Sequence, residues 1–124
     1  MIDSSPPNQQ AFYEQVWSLV RQAPRGELLF LALATCYCND IYREAAARGI
    51  EVTAVEVEVT GDFGGPGDPA RNVVYWAKVM GKADVAELEA LARHTDTVAE
   101  IQNTLRVGAP LKLEKIEVES LPSQ

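Results

Sequence analysis

The sequence predicts an α+β fold in which central buried helices pack on a small antiparallel sheet. Three observations predict it. The run Leu28 to Ala34 is apolar at every position, and a helix that is apolar all round is buried. The segment Glu51 to Gly61 alternates, with Val55, Val57 and Val59 on one side and Glu56, Glu58 and Thr60 on the other, as a half-buried strand does. The order along the chain is helix, helix, strand, strand, helix, strand, which suits helices laid on one small sheet. Three strands cover little of the apolar surface on offer, so a dimer that extends the sheet or shares helices is expected to complete the fold.

The bulk numbers set the bounds. A chain of 124 residues is one domain, and 47% hydrophobic content is enough to build a core. A net charge of −7 argues against nucleic acid and against anionic membranes, both of which call for basic surface. The first residues lack the charged-then-apolar pattern of a signal peptide, and the longest apolar run is far below the ~20 residues of a membrane span. A cytoplasmic protein is expected. Two cysteines, Cys36 and Cys38, are too few for a disulfide scaffold. With the single histidine, His94, far along the chain, they give no zinc set, so neither metal nor cofactor is expected.

The elements follow in order. Residues 1–7 read as a loose leader. From about Asn8 to Gln22, Phe12, Val16, Leu19 and Val20 recur at helical spacing beside Tyr13 and Trp17, until Pro24 and Gly26 break the pattern. The aromatic stripe there reads as packing, or as a wall for an apolar ligand. A second helix is expected from about Glu27 to Arg48, stopped by Gly49. Glu51 to Gly61 and Arg71 to Met80 are strands, and the Gly/Pro-rich loop 61–69 between them makes a long-tipped antiparallel hairpin. That loop lacks the Lys-Ser/Thr of a phosphate cradle. Asp84 caps a third helix with Val85, Leu88, Leu91 and Ala92 on its stripe. A break is expected near His94 to Asp96, then a further piece from Val98 to Leu105, ended by Gly108 and Pro110. Leu111 to Val118 reads as a last strand, with a parity shift between Leu113 and Ile116 that suggests a bulge.

The chemistry gathers at Cys36. A buried cysteine is either inert filler or a placed nucleophile. Asp40, four residues on, raises a thiol pKa, and Arg43, seven on, shares the face and reaches back only partly. Cys38 points roughly 200° away at ~3.6 residues per turn, so the two thiols do not bridge without local unwinding. Glu27 places negative charge at a helix N-terminus. His94 and Asp96 stand at the expected helix junction, where capping residues gather; a neutral His94 near Cys36 would accept the thiol proton.

Several motifs in sequence carry a family likeness: Glu27-Leu28-Leu29 leading to Ala34-Thr35-Cys36, a long helix to a glycine, the acid-rich strand Val52 to Thr60, and Asn103-Thr104-Leu105 before Gly108. Together, from about Gly26 to Val118, they resemble the OsmC family, which includes the organic hydroperoxide resistance proteins. The resemblance implies an OsmC-like domain over 26–120, after a leader and amphipathic helix over 1–25 and before a tail at 121–124. It implies a homodimer with two central helices. It implies that Cys36 is the peroxidatic residue, whose thiolate attacks a peroxide oxygen, releases an alcohol and is left as a sulfenic acid. Glu27 would hold an arginine near the thiol. The family's second cysteine falls at Ala99 or Thr95 here, and neither is a cysteine, so Cys38 or an external thiol reductant must close a cycle. Two readings result: thiol-dependent reduction of organic hydroperoxides through Cys36, with Cys38 and Glu27 assisting, or a non-catalytic dimer of the same fold that binds an apolar small molecule or a partner.

Overall fold

The structure, a computed structural model, describes residues 25–122 together with Glu14 and Ser18. The helix expected near 8–22, with Phe12, Tyr13 and Trp17, therefore lies outside the described residues apart from those two. The described chain runs α1 (Arg25–Ala47), β1 (Glu51–Phe63), β2 (Ala70–Lys82), α2 (Val85–Val98) and α3 (Glu100–Val107). This is an α+β arrangement with its helices packed on a two-stranded antiparallel sheet.

The core is a stripe at every fourth position of α1. Leu33, Tyr37, Ile41 and Ala45 are all buried, because residues four apart stack on one helix face. Tyr37, Ile41 and Ala45 meet Leu91 of α2, and the inward side chains of the hairpin, Val55, Val57, Tyr75, Ala77 and Val79 among them, close the layer. Tyr37 and Tyr75 stack with ring centroids 5.3 Å apart at 58°, and the Tyr37 hydroxyl donates to Ala92 O at 2.9 Å, so a large buried ring also has its polar tip satisfied.

The expectation of a helix buried on all sides gives way here. Leu31 is 62% exposed and Leu28 is exposed as well, because two strands and two short helices cover only one side of α1. Its C-terminal stop is as expected. Gly49 has φ 69°, Ile50 N donates to Ala45 O at 2.9 Å and Gly49 N to Ala46 O at 3.2 Å, the paired bonds of a Schellman end.

The hairpin also follows the sequence, with Glu56 opposite Lys78 and Val59 opposite Tyr75. Irregularities fall between Val52 and Ala54 and between Thr60 and Asp62. Near the second, Asn72 adopts φ 55° and its Nδ2 donates to Asp62 Oδ2 at 3.1 Å. Asparagine tolerates that left-handed backbone because its short amide bonds locally.

Two expectations on the later elements are corrected. The helix break is at Ala99, not at His94 to Asp96, so α2 runs through those residues. Carbonyls left open at its end find donors in α3: Asn103 Nδ2 bonds Thr97 O at 3.0 Å and Arg106 Nη1 bonds Asp96 O at 3.0 Å. The start, by contrast, is as read, with Asp84 Oδ1 accepting from Glu87 N at 2.8 Å. The last strand, Leu111 to Val118, is absent. Residues 109–122 have no regular structure and are exposed throughout, since a strand needs a neighbour for its hydrogen bonds and neither edge of the hairpin receives this segment. Lys112 pairs with Glu114 at 3.5 Å and Lys115 lies beside Glu117, the i, i+2 contacts of one side of an extended chain.

Candidate functional site

Cys36, Asp40 and Arg43 stand at i, i+4 and i+7 on α1 and therefore share a face. The start of α3 packs against that face. The Cys36 thiol donates to Asp40 Oδ2 at 3.3 Å, and the Ile101 N–H near the first turn of α3 hydrogen-bonds the sulfur. Arg43 Nη1 lies 3.1 Å from Asp40 Oδ1 and 3.2 Å from Glu100 Oε1, while Arg43 Nε holds Glu44 Oε2 at 3.0 Å. Ligand atoms of Cys36, Asp40 and Glu100 all lie within 4.8 Å of one another, with the guanidinium bridging the two carboxylates. The positive charge in this cluster is thus supplied by the chain itself.

Burial pushes the Cys36 thiol up, and the Asp40 and Glu100 carboxylates push it further; the Ile101 amide opposes them and does not win. At neutral pH the thiol keeps its proton. Burial also raises Asp40, with the hydrogen-bonded Glu100 carboxyl adding to it against Cys36 and Arg43. Glu100, held low by its own backbone amide and then by Asp40 and Arg43, stays ionised to lower pH. Of the two neighbouring carboxyls, Asp40 is the one that takes a proton more readily.

The other residues singled out in the sequence lie elsewhere. Cys38 is a free thiol two positions from Cys36 on a regular helix, raised by burial alone. Glu27 is exposed, nine residues from Cys36 and so roughly 13 Å along the axis at ~1.5 Å per residue. It faces a groove shared with Phe30, Phe63 and the hairpin tip, and among the described residues it makes no ion pair. His94 Nε2 meets Glu44 Oε1 at 2.7 Å, which fastens α2 to α1 and keeps the imidazole from the thiol.

A second polar cluster was not read from the sequence. The Tyr75 hydroxyl and Arg106 Nη2, the latter at 2.6 Å, converge on Asp96 Oδ1. Burial raises Asp96, but Tyr75 and Arg106 outweigh it and hold the carboxyl below its usual range. Beside the cluster lies a cleft of ≈ 360 Å³ with Leu29, Leu33, Val73 and Leu105 on its apolar side and Tyr75 and Arg106 on its polar side. Glu100 and this triad escaped sequence reasoning because their partners are distant in the chain; only the buried stripe at every fourth residue of α1 could have hinted which face of it α3 meets.

The sign of the Asp96 effect is testable. A carboxyl depressed on folding contributes stability that is present above its unfolded value near 3.9 and is lost as pH falls through the folded one. The Asp96 side chain is 37% exposed, so solvent screening reduces the effect. Asp96→Asn should cost about 1–2 kcal/mol at neutral pH, by loss of hydrogen bonds to a charged group, and should flatten the stability curve below about pH 4. Urea unfolding followed by circular dichroism across that range checks both.

Comparison with known proteins agrees with this fold. Residues 24–114 match the family model described as OsmC-like protein. Among solved structures, an OsmC-like protein of unknown function from Vibrio cholerae O1 biovar eltor superposes with a TM-score of 0.52 at 20% identity. The match covers 63% of this chain and 55% of that one, so this chain spans about half the length of that relative. No curated protein matches.

Proposed function

The chain belongs to the OsmC-like protein family, and on that premise we propose that it reduces organic hydroperoxides through Cys36 in the cytoplasm, as a homodimer supplied with electrons by an external thiol. The observation that carries this reading is the place of the sulfur, between the Asp40 carboxylate and the Ile101 amide at the start of α3. The Ile101 amide stabilises a thiolate as it forms, and the carboxylate accepts the proton that the resting thiol still holds. Cys36 attacks the peroxide, and the sulfenic acid is resolved by the external thiol or by Cys38 after local unwinding of α1. Glu27 contributes favourable charge at the N-terminus of α1 and acts on the thiol only through an arginine from the second protomer. The test is peroxide consumption by the pure reduced protein with cumene hydroperoxide and a dithiol, with mass spectrometry of both cysteines. Turnover with oxidation confined to Cys36 and Cys38 supports the reading. Absence of turnover with both thiols unmodified overturns it.

A second reading is favoured by two observations, the protonated resting thiol and the apolar cleft that Cys36 does not line. Under it the same dimer binds a small apolar molecule without chemistry. Loss of turnover together with a ligand-dependent rise in melting temperature would select it.

The dimer rests on surface. Leu111 is 98% exposed, Leu113, Ile116, Val118 and Leu121 are also exposed, and α1 adds Leu28 and Leu31. A single chain gains nothing from so much apolar area in water. Sedimentation should show a dimer at micromolar concentration, and Leu113→Asp with Ile116→Asp should shift it to monomer by at least a tenfold rise in Kd. A wild-type protein that sediments as a monomer throughout would contradict the dimer.

A further inference from the structure

We propose that Asp40 is a catalytic residue of the Cys36 reaction, the group that carries the thiol proton to the departing alcohol. This rests on the hydroperoxide-reducing reading. Three geometric facts support it. Asp40 is buried, its Oδ2 accepts directly from the reacting sulfur at 3.3 Å, and its Oδ1 is anchored by Arg43 at 3.1 Å. One oxygen is therefore fixed while the other faces the thiol, as a proton carrier requires. The groups around Asp40 are Cys36 and Arg43 on its own helix and Glu100 on α3, with Glu44 one contact further, on Arg43, and the His94 of α2 beyond it, on Glu44. Burial and Glu100 raise the proton affinity of Asp40, which suits it to hold a proton briefly.

The step balances. The Cys36 S–H proton moves to Asp40 Oδ2. The thiolate attacks the terminal oxygen of ROOH, an S–O bond forms and the O–O bond breaks. The departing RO⁻ takes the proton back from Asp40, giving Cys36 sulfenic acid, ROH and the original carboxylate. Sulfur is oxidised by two electrons and the peroxide is reduced by two; a dithiol then returns the sulfenic acid to thiol with release of water.

Two readouts on Asp40→Asn separate this role from a structural one. Removing the carboxylate removes a negative charge that raises the thiol, so iodoacetamide alkylation of Cys36, followed by mass spectrometry, should shift to lower pH and be no slower at pH 7. Removing the carrier should nonetheless lower cumene hydroperoxide turnover with dithiol by about 10²-fold, the lower end for general acid–base catalysis. Reduced turnover with alkylation unchanged or faster supports the relay. Both rates rising, or turnover unchanged while the wild type is active, overturns the relay and leaves peroxide reduction standing. Both rates falling together at an unchanged melting temperature marks Asp40 as a positioning residue and also overturns it. A wild-type protein that alkylates at Cys36 but consumes no hydroperoxide overturns the underlying reading. If Asp40→Asn melts far below wild type, Asp40→Glu decides: turnover within tenfold of wild type supports a carboxylate carrier, and any larger loss overturns it.

Discussion

Cys36→Ser should abolish hydroperoxide turnover to the limit of detection, and alkylation of Cys36 in the wild type should climb steeply with pH. A serine hydroxyl at the same place cannot become the nucleophile, because its proton is held far more tightly than that of a thiol. The thiol itself is raised above the ordinary value of 9.0 by burial and by two carboxylates, so the thiolate fraction at pH 7 is smaller than in a free cysteine. Sign follows from direction. For a group whose pKa is raised, the reactive deprotonated form grows only as pH passes the elevated value, so intrinsic alkylation of Cys36 should keep increasing to beyond pH 9. Cys38, which burial also raises, should behave similarly under alkylation but should leave turnover intact within severalfold when changed to serine if the external thiol resolves the intermediate. An iodoacetamide profile that levels off near pH 7 would refute the raised thiol. Retention of turnover in Cys36→Ser would remove the sulfur from the chemistry.

How much of this was legible in the sequence differs by element. Glu51 to Phe63 and Ala70 to Lys82 announced themselves because alternation and a Gly/Pro-rich tip are local properties. Asp84, Gly49 and Gly108 marked helix ends for the same reason: capping acts on neighbouring backbone groups. The break at Ala99 was missed because the donors that satisfy the end of α2 are side chains of α3, and no residue type at 99 signals them. Leu111 to Val118 has the pattern of a strand but finds no partner among the described residues, and pattern alone does not supply one. At the site, Cys36 and the raising effect of Asp40 were readable from i, i+4 spacing. Glu100, 60 residues beyond Asp40, was not, because only the packing of α3 on α1 brings it there.

The same packing argument yields the largest expected loss of stability. Ile41 is fully buried, with Tyr37 and Ala45 one turn away on either side and Leu91 of α2 among its core partners. Ile41→Ala should destabilise the protein by about 2–5 kcal/mol, the lost transfer energy plus a cavity that neighbours fill only in part. For a domain of this size, whose total stability is about 5–15 kcal/mol, that is a large share. Leu31, on the same helix but 62% exposed, provides the internal control: Leu31→Ala should change monomer stability by no more than about 0.5 kcal/mol. The contrast separates the two halves of the apolar signal in α1. Sequence hydrophobicity ranks Leu31 with Ile41, whereas the every-fourth-residue stripe ranks Ile41 far above it. Guanidinium unfolding of the two variants in the Leu113→Asp, Ile116→Asp background, expected to be monomeric, keeps any dimer contacts out of the comparison. Equal losses would mean that α1 is buried on both sides within one chain and that the exposed side of this helix is not free for a second protomer.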